Sequence, residues 1–173
     1  MGRTKGDLVV DGRPLAERAA RTLAPVCASV LISVAPGAVN PAPHWSAVED
    51  ALPAGRGPLA GLQAAFLGAA SADLLVLACD YPGVTTDLLR ALLAQVPEDA
   101  DLVFPTDPKG KDHPLVGLWR RTTLDEIEAS LASRVYKVRA LLAGLRVHRV
   151  HPQQLPGFDL TAMLRNVNEP SAL

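Results

Sequence analysis

"DLLVLACDYPGVTTDLLRALL" (residues 73–93) carries the strongest structural signal in this chain. Residues 74–78 form a continuous apolar run, which is typical of a strand covered on both faces of a sheet. The end of the stretch has the spacing of an amphipathic helix, and Thr85 or Thr86 can serve as its N-cap. Asp80 and the turn sequence Tyr-Pro-Gly lie between the two parts. This unit predicts an α/β fold with a carboxylate at the carboxyl end of a central strand.

The rest of the chain repeats this alternation of strands and helices. Apolar or alternating runs predict strands in "ASVLISVAP", "SAVED", "ADLVFPT", "HPLVGLW" and "LRVHRV". Helical spacing predicts helices in "PLAERAARTLAPV", "GPLAGLQAAFLGAA", "TLDEIEASLAS" and "RVYKVRALLAG". Fully apolar strands between helices favour a doubly wound, mainly parallel sheet in a Rossmann-like three-layer sandwich. No convincing linker divides the chain, so we expect residues 1–173 to form a single domain.

The composition limits the function classes. The chain has 173 residues, is 49% hydrophobic and has a net charge of −1. These values support a packed core, and the lack of a basic excess argues against binding to nucleic acid or to a membrane surface. Without a signal-peptide pattern or an apolar run of transmembrane length, a cytoplasmic protein is expected. Cys27 and Cys79 show no CxxC spacing and are expected to be buried free thiols.

Three segments are candidate binding sites because ligands of open α/β sheets bind beyond the carboxyl ends of the strands. Asp80 can hold Mg²⁺ against phosphate oxygens, or it can cap the loop before the next helix. The glycines of "GRGPLAG" (residues 55–61) allow close approach of a ligand at a helix N-terminus, or they form an ordinary turn. Asp50, at the end of "SAVED", can accept hydrogen bonds from a nucleoside, or it is an exposed turn residue.

Other polar residues have a functional and a structural interpretation. Lys5 is a phosphate ligand only if it follows a phosphate-binding loop. His113 in "KDHP" contacts a substrate or packs at the start of a strand, and Arg134 binds an anion or faces solvent. Asn166 and Asn168 alternate in "NVN", which places both side chains on one face of an extended segment. The histidines lack the spacing of metal ligands, and there is no GxSxG sequence.

Six segments in order and at fixed spacing resemble the molybdenum cofactor guanylyltransferase family, which belongs to the nucleotidyltransferases of GT-A-like fold. They are "MGRTKG", "VEDALPAGRGPLAGLQAA", "LLVLACDYPGVTTDLL", "DHPLVGLW", "SRVYKVRALL" and "NVNEPSAL". The resemblance runs over residues 1–173. It implies that GMP is transferred from GTP to the terminal phosphate of a molybdopterin-type cofactor, with Mg²⁺ as cofactor and pyrophosphate as product. It also implies a monomer that contacts other molybdenum cofactor biosynthesis proteins transiently.

The resemblance assigns roles to individual residues. Asp80 matches the Mg²⁺-binding aspartate and Lys5 the phosphate-binding lysine, and both would be catalytic. The nucleotide site would also include Ser33, Asp50, Gly57, Pro58, Leu59 and Gly61. The acceptor side would include His113, Arg134, Asn166 and Asn168. Because a phosphate acceptor is already a nucleophile, catalysis would depend on positioning and on charge neutralisation at the α-phosphate.

The sequence departs from the family pattern at two places. Ser33 and Ala35 stand where the family usually has an N-x-N type segment, so a relative that uses CTP or a sugar-phosphate acceptor remains a second hypothesis. Residues 1–5 match only the tail of the family's opening strand and loop, L-A-G-G-x-S-x-R-M-G-x-x-K. We therefore expect an in-frame strand and loop upstream of Met1, and unpaired strand edges with low solubility or inactivity in the 173-residue chain. A degenerate, non-catalytic nucleotide-binding relative is the third hypothesis.

Overall fold

Strands and helices alternate along the chain in the computed structural model, which describes residues 5–50, 57–69 and 72–167. The strands are β1 (Val9–Val10), β2 (Arg13–Pro14), β3 (Leu31–Val34), β4 (Ser46–Glu49), β5 (Leu74–Leu77), β6 (Leu102–Pro105), β7 (Val116–Trp119) and β8 (Val147–Val150). The helices are α1 (Leu15–Leu23), α2 (Pro58–Gly68), α3 (Thr86–Leu93), α4 (Leu124–Ala132), α5 (Val138–Leu141) and α6 (Leu160–Met163). The predicted α/β class is confirmed.

A four-stranded sheet with the order β5-β7-β6-β8 forms the centre of the molecule. β6 and β8 are parallel, whereas β7 is antiparallel to both β5 and β6. The connection from β6 to β7 contains no helix and closes through a bridge between Thr106 and Asp112, which is the geometry of a hairpin. The sheet is therefore mixed, with β5, β6 and β8 in one direction and β7 reversed.

The central sheet separates two apolar cores, because successive side chains of β6 point to opposite faces. Val103 lies in the core formed with α1, α3 and α6, which also includes Leu23, Leu88, Leu89, Leu92, Val116, Val150 and Leu160. Leu102 and Phe104 lie in the core formed with α2, α4 and α5, which also includes Leu59, Leu62, Phe66, Trp119, Leu124, Ile127, Leu131, Val138 and Leu141. Helices on both faces of one sheet give the predicted three-layer sandwich.

β3 and β4 form a separate parallel pair. Within the described residues, β3 pairs only with β4 and β5 only with β7, so each has one unpaired edge, as expected from the sequence. Both strands line a cavity of about 710 Å³. Their apolar residues are for the most part only partly buried, which corrects the prediction that these strands are covered on both faces. Helix α1 contacts both β3 and β5 and joins the two sheets.

The predicted helix in "RVYKVRALLAG" is shorter than expected. Helix α4 ends at Ala132, and Arg134 takes a left-handed conformation with φ 58°, which is common just after a helix. Only residues 138–141 are α-helical, followed by a 3-10 helix at Leu142–Gly144. Residues 134–137 therefore form a connection between α4 and α5.

The two cysteines are less buried than expected. Within the described residues, Cys27 and Cys79 form no disulfide and are half-buried, and burial raises the pKa of the Cys27 thiol. In the parts of the chain that the structure describes, none of the helices has the length and apolar character needed to span a membrane.

An ion pair fixes the edge of the sheet where β6 and β8 begin. Asp101 accepts hydrogen bonds from Nε and Nη2 of Arg146 at 2.9 and 2.6 Å, and from the Arg146 main-chain N–H at 3.0 Å. The Thr122 hydroxyl donates to the same carboxylate at 3.1 Å. The hydrogen bonds from Arg146 hold the pKa of Asp101 well below its usual range.

Gly117→Ala should destabilise the protein by more than about 2 kcal/mol, because overpacking in a core has this cost. A Cβ at this position would overlap the carbonyl oxygen of Val103 and come within 3.0 Å of Phe104 Cα. Urea unfolding measures the change. Gly144→Ala is the matched control, since its Cβ would be 3.7 Å from the nearest side-chain atom. Equal stability of the two variants would contradict the packing of β7 on β6.

Asp101→Asn should lower Tm by about 2–4 °C near pH 7, and this difference from the unchanged protein should shrink as the pH falls below about 4. The sign follows from the lowered pKa: the ionised carboxylate stabilises the folded state above the unfolded pKa, and protonation removes the stabilisation. Thermal unfolding between pH 2 and 7 tests this. Asp87→Asn, at an exposed aspartate of α3, should show little pH-dependent difference. A constant difference for Asp101→Asn at all pH values would contradict the ion-pair origin.

Candidate functional site

Asp80 follows β5 at the carboxyl end of the strand, as predicted, and is half-buried. Its main-chain oxygen accepts a hydrogen bond of 2.8 Å from the N–H of Val167, which holds the C-terminal segment against the end of β5. The alternative role of helix cap belongs to Thr85, whose hydroxyl accepts the Leu88 N–H at 3.3 Å. Asp80 is therefore not the N-cap of α3.

His113 and Asn166 are brought together by Tyr81, which the sequence interpretation did not single out. The Tyr81 hydroxyl lies 3.2 Å from His113 Nδ1, and the two rings pack edge to face with centroids 5.6 Å apart. Burial and the charge of Asp80 raise the pKa of Tyr81. The amide of Asn166 lies near Tyr81 and acts to lower its pKa. The sequence could have pointed to Tyr81, because it carries a hydroxyl directly after the aspartate at the end of the strand.

His113 is a core histidine. Its side chain is 1% exposed, and Asp107 Oδ2 lies 3.6 Å from its Nε2. That distance is longer than a hydrogen bond, so the contact is mainly electrostatic. Burial and the charge of Lys111 lower the pKa of His113, although Asp107 and Asp112 oppose the shift. The imidazole is therefore neutral near pH 7.

Ser33, Asp50 and Gly61 form a second polar cluster. Asp50 follows β4, and the parallel register places Ser33 opposite Val48, so the Ser33 hydroxyl donates to Asp50 Oδ1 at 2.6 Å. Gly61 of α2 lies directly against this pair, since a Cβ there would be 2.6 Å from Ser33 Oγ and 3.5 Å from Asp50 Oδ1. Glycine at position 61 is what permits α2 to pack this closely.

The start of α2 lies beside the segment after α4. Gly57 has φ 70°, and a Cβ there would be 2.9 Å from the main-chain oxygen of Tyr136. Pro58 is the first residue of α2 and is exposed. The Leu59 side chain is fully buried in the core, so only its backbone can contact a ligand. Arg134 is exposed near this end of α2, two residues before Tyr136.

One cavity connects several of these residues. Its lining includes Gly6, Ser33, Asp50, Gly61 and Cys79, so it reaches from the Ser33–Asp50 pair to the residue before Asp80. Gly6 brings the backbone of the N-terminal segment to this cavity, and its neighbour Lys5 begins a short 3-10 helix at Lys5–Asp7. Asn168 lies outside the described residues.

A carboxylate such as that of Asp80 is a ligand type that Mg²⁺ accepts. Within residues 5–50, 57–69 and 72–167, no group of three or more His, Cys, Asp or Glu side chains converges on one point. A cation at Asp80 would therefore share its coordination with substrate oxygens and water, as Mg²⁺ commonly does. The buried Oδ1 of Asn166 has no hydrogen-bond partner among the described residues, which adds an oxygen acceptor on this side.

Two curated relatives match almost the whole chain. A probable molybdenum cofactor guanylyltransferase from Pelotomaculum thermopropionicum is 35% identical, and the alignment covers 100% of this chain and 83% of the relative. A protein of the same name from Carboxydothermus hydrogenoformans is 30% identical, with 99% and 85% covered.

Two solved structures show the same fold. Molybdopterin-guanine dinucleotide biosynthesis protein A from Archaeoglobus fulgidus has a TM-score of 0.74 at 20% identity, covering 98% of this chain and 87% of that one. The 2-C-methyl-D-erythritol 4-phosphate cytidylyltransferase from Thermus thermophilus has a TM-score of 0.64 at 20% identity, with 97% and 89% covered. The family model of the MobA-like NTP transferase domain matches residues 1–151. The chain therefore belongs to the MobA-like NTP transferase family.

Proposed function

We propose that this protein is a molybdenum cofactor guanylyltransferase. It transfers GMP from GTP to the phosphate of a molybdopterin-type cofactor and releases pyrophosphate. The observation that carries the proposal is the near-complete match to relatives named for this activity, the first of them 35% identical over the whole chain. Two polar clusters beyond the strand ends, at Asp50 and at Asp80, support a site with a nucleotide side and an acceptor side.

The nucleotide side is built on the Ser33–Asp50–Gly61 cluster. The Ser33 hydroxyl occupies one oxygen of Asp50 and orients the carboxylate, so that its second oxygen can accept a hydrogen bond from a nucleoside N–H or O–H. Gly57, Pro58 and Gly61 line the same cavity, so their backbone borders the space proposed for the nucleotide. Lys5 would neutralise phosphate charge from the N-terminal segment.

Asp80 would hold the metal at the reacting phosphate. Nucleotidyltransferases of this family use a divalent metal, and we assign Mg²⁺ because the oxygen donors here are those that it prefers. Bound Mg²⁺ supplies positive charge at the α-phosphate and the leaving pyrophosphate. His113, Arg134, Asn166 and Asn168 would bind and orient the acceptor, whose phosphate oxygen attacks without needing a strong base.

The remaining assignments follow from the proposed reaction. The protein would act as a single-domain monomer in the cytoplasm, with GTP and a molybdopterin-type cofactor as substrates. It would meet other molybdenum cofactor biosynthesis proteins transiently and would bind neither nucleic acid nor membranes.

The second candidate function is transfer from CTP or to a sugar phosphate. Ser33 favours it, because this hydroxyl is committed to Asp50 and stands where the family usually has an N-x-N type segment. A degenerate nucleotide-binding relative without catalysis is the third candidate.

The protein should be stabilised by GTP with Mg²⁺ by about 2.7 kcal/mol when the ligand is at 100 times its Kd. CTP and UTP at the same concentration should shift Tm much less. Thermal-shift measurements with the three nucleotides separate the candidates. An equal or larger shift with CTP would reject the guanylyl assignment, and no shift with any nucleotide would reject nucleotide binding altogether.

Asp80→Asn should lower the rate of pyrophosphate release by at least about 100-fold, because the neutral amide binds the metal poorly and charge at the α-phosphate is left uncompensated. A coupled pyrophosphate assay with GTP and acceptor measures the rate. Asp87→Asn removes the same charge from an exposed position on α3 and should leave the rate unchanged. Full activity of Asp80→Asn would remove Asp80 from the metal site.

A further inference from the structure

The turn after Asp80 lies against helix α6 with no side chain between them. A Cβ on Gly83 would be 2.9 Å from the main-chain oxygen of Ala162 and 3.0 Å from Cα of Met163. The first distance is shorter than a normal van der Waals contact, and main-chain atoms cannot rotate away as the end of a side chain can. The backbones of the turn and of α6 therefore touch directly at Gly83.

The conformation of the turn does not itself require glycine. The N–H of Val84 donates to the main-chain oxygen of Tyr81 at 3.2 Å, which makes Gly83 the third residue of a four-residue turn. Gly83 is not among the glycines with positive φ, and a turn without positive φ at its third position accepts most residues. The close contact with α6 is therefore what requires a residue without a side chain at this position.

The segment that follows α6 returns to the same turn. Leu160 and Leu164 anchor α6 in the core on the α3 side of the sheet. The N–H of Val167 then donates to the main-chain oxygen of Asp80 at 2.8 Å, so the chain after α6 lies at the end of β5. Asn166 directly precedes this bond, and its buried Oδ1 has no hydrogen-bond partner among the described residues. The seating of α6 thus determines where this oxygen lies relative to Asp80.

We propose that Gly83 is a positioning residue: its missing side chain lets α6 seat against the turn after Asp80, and this seating holds Asn166 on the acceptor side of the site. The acceptor-side role of Asn166 rests on the proposed function, whereas the seating of α6 does not. Because Tyr81 and Val84 are buried in the core, the turn is held on both sides of Gly83. A side chain at Gly83 would therefore move α6 rather than Asp80. The Asn166 oxygen would move with α6 and lose its alignment with an N–H or O–H donor of the acceptor.

Hydrogen exchange of the protein without ligands tests the seating of α6. In Gly83→Ala, we expect the Val167 amide to exchange at least about tenfold faster, because overpacking weakens the local structure. The amides of β6 should change less, because this strand is hydrogen-bonded on both sides. Equal acceleration at Val167 and in β6 would show a loss of overall stability alone and would overturn the proposal. An unchanged or slower Val167 amide would also overturn it, since an unstrained replacement of glycine by alanine stabilises a protein.

Kinetics test the role of Asn166. Gly83→Ala should lower kcat/KM for the acceptor by about 10- to 100-fold and leave the KM for GTP unchanged, because the group that moves is on the acceptor side. Asn166→Ala removes that group, so the double variant Gly83→Ala/Asn166→Ala should be no worse than Asn166→Ala alone. Additive losses in the double variant, or an equal effect on GTP and on the acceptor, would overturn the proposal.

Gly144→Ala is the matched control. It also adds one Cβ to a glycine without positive φ, but the nearest side-chain atom, Oε2 of Glu126, would be 3.7 Å away. Neither exchange at Val167 nor the acceptor kinetics should change, and a change of the same size as in Gly83→Ala would overturn the specific role of Gly83. If the protein transfers no GMP but the Val167 amide exchanges faster in Gly83→Ala, the proposed function is wrong and the seating of α6 stands.

Discussion

Strand β6 is the constraint on which the rest of the structure depends. All four of its residues are buried, it is hydrogen-bonded on both sides, and its side chains enter two separate cores. Because β7 pairs with β6 on one side and β5 on the other, the loops after β5 and before β7 have fixed positions relative to each other. The hydrogen bond of 2.9 Å from the Ala78 N–H to the Leu115 oxygen extends this pairing. It places Asp80, Tyr81 and His113 side by side.

Local sequence patterns predicted the strands and helices better than they predicted which strands pair and in which direction. The apolar run before Asp80 placed this carboxylate at a strand end, because strand length and position are local properties. The reversal of β7 depends on the hairpin between Thr106 and Asp112, and no periodicity reports strand direction. The apolar runs of β3 and β5 indicate burial on both faces, because an apolar strand has the same sequence whether or not a neighbour pairs with its second edge. The unpaired edges were expected only from the comparison of residues 1–5 with the opening segment of the family.

The prediction of the candidate site has the same limit, since single residues were identified but the contacts between them were not. Asp50 and Ser33 were both named as nucleotide ligands, but their contact depends on the register of two parallel strands, which spacing along the chain does not encode. Leu59 was named for its place in a glycine-rich loop, although helical geometry turns its side chain into the core. The contact of Tyr81 with His113 was missed because the two residues are distant in the sequence. Resemblance to a family predicts which residues are functional, whereas the contacts between those residues are seen only in the structure.

Within the described residues, helix side chains rather than a shared backbone ladder join the β3–β4 pair to the central sheet. Amide protons of β6 should then exchange only on global unfolding, whereas those of β3 and β4 should exchange through a smaller, sub-global opening. The nucleotide side of the site would thus belong to a less stable foldon than the metal side. A nucleotide that contacts both sides of the site would reduce the difference between their free energies of opening.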